Sequence, residues 1–259
     1  TAATTVLAMN TLTGFSYTGA GGFTVVAMSA TKTFSVGTTA GGTSSNAPNL
    51  TFTTGASVAT ITTAGWFNKL DYGTTTFTQA ASTLNVNSIT LSSGGTYTAL
   101  IINLQGTGTL TYNGKTTAAV TLLAGTPTIA DTVTCTTFTV NGPTFNFTSG
   151  TINPSVSFVV TSGGFTYNGG TLGAVTTFTQ TAGTVQFNYS YTMNTSVAAC
   201  TYTFTAGTLT LNNSVTLSTG IFSSSNANTR TINFGVTAPG YIGCDLAAAA
   251  SATVLNMAI

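Results

Sequence analysis

The chain has 259 residues, of which 3% are charged and 42% hydrophobic, with no histidine and a formal net charge of +1. An average soluble domain is roughly 25% charged, so no field that would attract nucleic acid or an anionic membrane is expected. Ordinary hydrophobic content and low net charge argue against disorder. Abundant β-branched threonine and scarce Glu, Lys and Arg predict an all-β protein.

Residues 1–65 form the first of three predicted regions, an irregular β-rich cap or assembly region. Strand-like runs at 22–28 and 49–55 flank a Gly/Ser/Thr/Asn/Pro segment at 37–48, which is typical of a loop. We expect the regular part of the fold to begin after this region.

The sequence GWFNKLDYG at 65–73 marks the entry to the second region, residues 66–222. Lys69 and Asp71 lie two positions apart, so a strand would place them on one face as an exposed ion pair. The aromatic residues Trp66, Phe67 and Tyr72 are a possible binding platform for a glycan. The alternative for Trp66 is a core position at the end of the fold.

The second region repeats a short motif in which apolar residues alternate with a polar one and end at asparagine, as in FTVN and FTYN. The motif ends at Asn87, Asn113, Asn141, Asn168 and Asn194. Fixed-period similarity, period-two alternation and breaks at Gly or Asn-Gly indicate short strands in a repeat architecture. The period is too short for a propeller blade and predicts a parallel β-solenoid (β-helix) with a coil of about 27 residues.

Stacked coils of that length bring equivalent motif positions together. Phe138, Phe165 and Tyr191 would then stack in the core, and the threonine within each motif would face outward. The five asparagines would form one corner ladder, because amide side chains can hydrogen-bond along a stack and asparagine tolerates tight corners.

Residues 223–259 change rhythm and are expected to form a C-terminal cap or contact segment. The run LAAAASATVL at 246–255 is too short for a membrane-spanning helix. Neither residues 1–31 nor residues 246–259 contain a charged residue. Because charge is a usual guard of sheet edges, its lack predicts that the ends pair head-to-tail with further copies of the chain.

The residues that carry most catalytic chemistry are sparse and scattered. The three acids are Asp71, Asp131 and Asp245, and the sequence contains no histidine that could act as a general base. We therefore expect no enzyme, no catalytic residues and no cofactor. No spacing suits a metal site. The three cysteines are an odd count and are interpreted as small buried apolar residues; they are Cys135, Cys200 and Cys244.

Two stretches, residues 67–100 and 204–235, resemble Thr/Gly/Asn-rich repeat segments of large structural proteins from phages of aquatic bacteria. Those segments are likened to pectin-lyase-type β-helices. The resemblance implies a β-helical fibre in a virion-surface or tail-fibre context, and it carries over no catalytic residues.

Three functions remain open from the sequence. The first is a structural β-solenoid of an extracellular or virion-surface fibre that assembles through its ends. The second is a glycan-binding adhesin module, with the platform near Trp66. The third is an ice-binding protein, suggested by Thr-x-Thr triplets, although their irregular spacing argues against a regular array; the triplets lie at 51–53, 132–134, 137–139, 177–179, 201–203 and 208–210.

Overall fold

The computed structural model describes the backbone of residues 4–8, 14–17, 22–27, 32–36, 49–52, 59–61, 66–73, 82–193, 200–218, 220–224, 228–234, 242–245 and 254–257. It describes the side chains of residues 49–52, 67–73, 83–193, 200–217, 220–224 and 228–234. Within these ranges the regular structure is entirely β, with parallel strands in stacked coils. The predicted all-β parallel solenoid is therefore confirmed.

The chain divides into two compact units, residues 1–135 and 136–259. The strands of the first unit are β1 (Thr4–Ala8), β2 (Gly14–Tyr17), β3 (Gly22–Ala27), β4 (Lys32–Val36), β5 (Asn49–Phe52), β6 (Ala59–Ile61), β7 (Trp66–Asp71), β8 (Ser82–Thr90), β9 (Leu100–Gln105), β10 (Thr109–Thr111), β11 (Thr116–Ala124) and β12 (Thr128–Ile129).

Strand β13 (Thr132–Phe147) lies mostly in the second unit. It is followed by β14 (Thr151–Tyr167), β15 (Thr171–Leu172), β16 (Thr177–Gln180), β17 (Thr184–Phe187), β18 (Tyr191–Met193), β19 (Thr201–Phe204), β20 (Gly207–Leu211), β21 (Val215–Ser218), β22 (Ile221–Ser224), β23 (Arg230–Phe234), β24 (Ile242–Asp245) and β25 (Val254–Met257).

The first unit stacks its strands in three parallel columns. One column runs through β1, β3, β5, the end of β7, the end of β8, β10 and β12. A second joins the starts of β7 and β8 to β9 and β11, and a third joins β2, β4 and β6. Parallel pairing therefore already occurs within residues 1–65, ahead of the predicted start of the coils at residue 66.

Aliphatic residues in register form one column of the core of the first unit. Leu84 pairs with Ile102 in the next coil, and Ile102 pairs with Val120 in the coil after that. All three side chains are fully buried. The intervening residues point outward, as the period of two along a strand requires.

The second unit has three sides, which we call side A, side B and side C. Side A holds residues 137–140 of β13 and 157–160 of β14, then β16, β19, β22 and β25. Side B holds the ends of β13 and β14, then β17, β20 and β23. Side C holds β18, β21 and β24.

An aromatic stack fills the core behind side A. Ring centroids are 5.4 Å apart for Phe138 and Phe158, 5.1 Å for Phe158 and Phe178, and 4.8 Å for Phe178 and Tyr202. Phe222 continues the stack 5.2 Å from Tyr202. These distances match the spacing of about 4.8 Å between neighbouring strands, so each coil adds one ring to the stack.

The predicted coil length of about 27 residues is wrong for most of the solenoid. Hydrogen bonds that join one coil to the next connect asparagines 20 residues apart at Asn168 and Asn188, and 24 residues apart at Asn188 and Asn212. Phe165, which was expected to stack on Phe138, lies instead on side B, one coil after Phe145, with the two ring centroids 6.1 Å apart. A coil of the predicted length does occur where a longer segment separates the strands, as between Gly22 and its partner Asn49.

The period of the motif is longer than one coil because successive copies lie on successive sides. Phe158 follows Phe138 by one coil on side A, and Phe165 then lies on side B of the same coil as Phe158. The motif that contains Tyr191 then lies on side C. Each repeat of the motif thus advances one coil plus one side, so similar sequences occupy different sides.

Glycines form the corner between sides A and B. Gly163, Gly183 and Gly207 have φ of 76°, 75° and 97°, a region that favours glycine. A Cβ on Gly183 would lie 2.2 Å from the Gly163 carbonyl oxygen, and one on Gly207 would lie 2.1 Å from that of Gly183. The corner therefore requires glycine in each of these coils, which explains the recurring TSG and TAG sequences.

Candidate functional site: the outer faces of the solenoid

An array of short side chains, most of which carry a hydroxyl group, covers the outer surface of side A. The array consists of two columns of residues, one at each outward position of the strands. The first column is Thr137, Ser157, Thr177, Thr201 and Ile221, and the second is Thr139, Val159, Thr179, Thr203 and Ser223. We call this surface the threonine face. Six of its ten residues are threonine and none is charged.

The register of the strands fixes the spacing of the threonine face. Adjacent coils are about 4.8 Å apart, and outward residues of one strand are about 6.6 Å apart. Thr177 pairs with Thr201, and Thr179 with Thr203. The hydroxyl oxygens of Thr137 and Ser157 lie 3.0 Å apart. Three Thr-x-Thr triplets with unequal sequence spacing therefore share one lattice, because the register of side A is the same across the shorter and the longer coil.

Buried side chains support the strands that carry the threonine face. The aromatic stack from Phe138 to Phe222 lies directly beneath it, and these rings are at most 1% exposed. Gln180 is fully buried, and its amide nitrogen donates to the carbonyl oxygens of Gly183 and Thr208. The Tyr202 hydroxyl donates to the Gln180 side-chain oxygen at 3.1 Å. Outward side chains are thus carried on a backbone that the core restrains at each coil.

Two separate asparagine ladders occupy corners of the solenoid. In the first unit the Asn87 amide donates to Asn68 at 3.1 Å and the Asn68 amide to Asn49 at 2.9 Å. In the second unit the Asn212 amide donates to Asn188 at 2.6 Å, and the Asn188 amide donates to Asn168. Each ladder connects residues one coil apart.

The five asparagines predicted to form one ladder do not align. Asn87 and Asn168 belong to different ladders, and Asn141 accepts a hydrogen bond from Ser162 at 3.1 Å. Asn113 has φ of 49° and donates its amide to the Leu91 carbonyl oxygen. Asn194 lies outside the described residues. The single ladder is wrong because successive copies of the motif are not one coil apart.

Two of the three residues of the predicted aromatic platform are buried. Phe67 is 1% exposed and Tyr72 is 0% exposed. The Tyr72 ring stacks on Phe52 at 5.7 Å and meets the edge of Tyr97 at 5.1 Å. The backbone of Trp66 pairs with Asn85 in β7 and β8, and its side chain lies outside the described residues. Phe67 and Tyr72 both face inward because the alternation is interrupted at the ladder residue Asn68, after which Leu70 and Tyr72 alternate with Lys69 and Asp71.

The described acidic groups are engaged in the fold. Lys69 and Asp71 form the predicted ion pair at 3.1 Å, with the lysine side chain 49% exposed. Asp71 also accepts the Gly73 N–H. The two oxygens of Asp131 accept the N–H groups of Tyr112 at 2.8 Å and Asn113 at 2.6 Å. Asp131 thus ties a turn of one coil to the next coil. The side chain of Asp245 lies outside the described residues.

Burial suppresses ionisation of several weak acids. It raises the pKa of the Cys135 thiol from 9.0 to about 12. It also raises the pKa of Tyr112, whose hydroxyl lies 3.0 Å from Thr117, and of Tyr191 and Tyr202. Cys135 and Cys200 are both buried, which confirms the sequence interpretation for these two cysteines. Neutral thiol and phenol groups at neutral pH are weak nucleophiles.

Neither a metal centre nor a membrane-spanning helix occurs in the part of the chain that the structure describes. No three His, Cys, Asp or Glu residues among those described lie close enough to hold a metal ion. No helix there is long and apolar enough to cross a membrane.

The sequence does contain a repeat with the length of one coil, but it is less conspicuous than the asparagine motif. The segments SFVVTSGG (157–164), TFTQTAGT (177–184) and TYTFTAGT (201–208) resemble one another and follow one coil apart. They contain a complete strand of side A and the glycine corner that follows. Aligning these segments identifies the threonine face directly.

Comparison with protein-family models, with curated proteins and with solved structures gives no match to this chain. The functional argument therefore rests on the geometry of the described residues.

Proposed function

We propose that this chain is a non-enzymatic structural β-solenoid of an extracellular or virion-surface fibre, and that it assembles head-to-tail through its ends. The observation that carries the proposal is the repetition of the same uncharged contacts from coil to coil. Amide ladders, aromatic stacks and parallel backbone pairing all run along the direction in which coils are added. Added copies can continue each of these contacts.

The terminal strands support assembly through the ends. In the described part of the chain, β1 pairs with β3 and β25 with β22, each through one edge. The opposite edge of such a strand offers a row of backbone donors and acceptors, and strand addition from another copy satisfies them. Neither β1 nor β25 contains a charged residue that would oppose such pairing.

The engagement of polar groups supports a structural role over catalysis. Asp71 and Asp131 already accept backbone N–H groups, and burial raises the pKa of the Cys135 thiol further above neutral pH. Each group contributes to holding a turn or the core. The proposed location on a fibre at a virion surface is supported by the resemblance to phage structural segments alone.

Electron microscopy of the purified full chain tests the proposal. We expect filaments whose growth is insensitive to NaCl, because ion pairs at the ends are not available to be screened. Deleting residues 246–259, which include β25, should abolish filaments and preserve the β-type circular dichroism spectrum. Compact monomers of the full chain at all concentrations would contradict the proposal.

A matched control separates loss of the end from general damage. The substitution Thr231→Ala changes an exposed residue of β23 on side B and leaves β25 in place. This variant should form filaments as the unaltered chain does. Normal filaments from the truncated chain would exclude the C-terminal strand as the contact.

A further inference from the structure

The threonine face differs from the other described surfaces in the regularity of its chemistry. Each coil from Thr177 to Thr203 presents two threonines, and each threonine offers one hydroxyl and one methyl group. The neighbouring side B alternates less regularly, because Gln186 pairs with Thr210 and Thr210 with Asn233. Long amide side chains interrupt the pattern there. Side A is therefore the surface with a two-dimensional repeat of short polar and apolar groups.

Such an array is complementary to ordered water. A threonine hydroxyl donates one hydrogen bond and accepts others, at oxygen–oxygen distances of about 2.7–2.8 Å. Holding a water in place costs up to about 2 kcal/mol of entropy. Hydroxyls fixed at repeating distances on a restrained backbone hold many waters at once in one lattice, and ice is the form of water in which that order is already present.

Other ligands fit this surface less well. None of its ten residues is charged, so ionic partners find no complementary group. Aromatic rings, which provide stacking surfaces for sugars, point inward from side A: Phe178, Tyr202 and Phe222 are at most 1% exposed. The methyl groups of threonine and the side chains of Val159 and Ile221 add apolar contacts between the hydroxyls.

We propose that the threonine face of side A binds ice, through Thr137, Thr139, Thr177, Thr179, Thr201 and Thr203. The irregular spacing of these triplets in the sequence is not an argument against the array, because the strand register aligns them in adjacent coils. The activity is a property of one side of one chain and does not depend on assembly into a fibre.

Uptake into a slowly growing ice hemisphere tests the site, with thermal hysteresis measured on the same samples. The full chain should enter the ice and produce hysteresis. The substitution Thr203→Lys places a long charged side chain within the face, between Thr179 and Ser223 of the adjacent coils, and should abolish both effects. The matched control Thr210→Lys lies on side B of the same coil and should leave both effects unchanged.

Circular dichroism melting establishes that each variant is folded. If Thr203→Lys does not fold, Thr179→Tyr replaces it, since aromatic residues favour strands and the ring disrupts the array by its bulk. Exclusion of the full chain from ice, without hysteresis, would overturn the proposal. An equal loss of ice uptake and hysteresis in the side A and side B variants would overturn the assignment of the site to side A. The filament assay reports separately on the fibre proposal.

Discussion

The two units use the same kind of coil for different chemistry. The first unit contains five of the seven charged residues, and its columns of core residues from Leu84 to Val120 are aliphatic. The second unit contains Arg230 and Asp245 as its charged residues and stacks aromatic rings along side A.

The length of the coil varies within both units. In the first unit, hydrogen bonds between adjacent coils join Asn85 to Asn103, 18 residues apart, and Ser88 to Thr109, 21 residues apart. In the second unit the asparagine ladder joins positions 20 residues apart and then 24 residues apart. The first unit also contains the coil of 27 residues between Gly22 and Asn49. A parallel solenoid thus accommodates coils of different length while the register within each side is maintained.

Truncating one core residue in each unit gives the largest expected difference. Phe178→Ala removes a ring stacked on both Phe158 and Tyr202 and should destabilise the second unit by about 3–5 kcal/mol. Ile102→Ala should cost about 2–5 kcal/mol in the first unit. Urea unfolding followed by hydrogen exchange assigns each loss to a unit. An Ile102→Val control should cost only about 0.5–1.5 kcal/mol. A larger loss from Ile102→Ala than from Phe178→Ala would contradict the importance of the aromatic stack.

Alkaline pH should also distinguish the units. Burial raises the pKa of Tyr72, Tyr97, Tyr112 and Cys135 in the first unit, and of Tyr191 and Tyr202 in the second. The folded state keeps these protons while the unfolded state releases them, so their contribution is complete below the ordinary pKa values of 9.0 and 10.0 and is lost as pH rises above them.

We therefore expect the free energy of unfolding to fall above the ordinary pKa of cysteine, and more steeply in the first unit, where more groups are affected. Urea unfolding at increasing pH measures the slope. Tyr112→Phe removes one of these protons and should flatten the dependence in the first unit. An equally steep decline in this variant would exclude Tyr112 as a contributor.

The asparagine ladders provide a smaller contrast. Asn188→Ala leaves the Asn212 amide and Gln186 amide without their acceptor and should cost about 1–3 kcal/mol. Asn68→Ala removes two hydrogen bonds from a more exposed ladder and should cost about 0.5–1.5 kcal/mol. Thermal unfolding of both variants, with exposed Asn233→Ala as the control, measures the difference. Equal melting temperatures for all three would show that the ladders do not stabilise the coils.

The smallest expected effect is that of the ion pair in the first unit. Lys69→Ala removes a contact of 3.1 Å whose lysine is about half exposed. The loss should be less than about 1 kcal/mol and should shrink as NaCl is added, because exposed pairs are screened. Urea unfolding at low and high salt, with Lys115→Ala for comparison, measures it. A salt-independent loss would indicate that the lysine acts through packing of its alkyl chain.

The sequence by itself determined the class of fold. Threonine-rich alternation, scarce helix formers and Gly or Asn-Gly breaks require short strands with corners, and similar segments in series favour parallel stacking. It also determined which residues of each motif face inward: Phe165 and Tyr167 are buried, while Thr166 between them is partly exposed.

Only the tertiary structure decided which residues meet. Register depends on the path around three sides, and the asparagine motif advances by one side at each repeat, so its period is not that of the coil. For this reason Asn141 meets Ser162, and Asn168 meets Asn188. The threonine face likewise exists because coils of unequal length keep side A in register. Backbone pairing enforces alignment within a side even where successive coils differ in length.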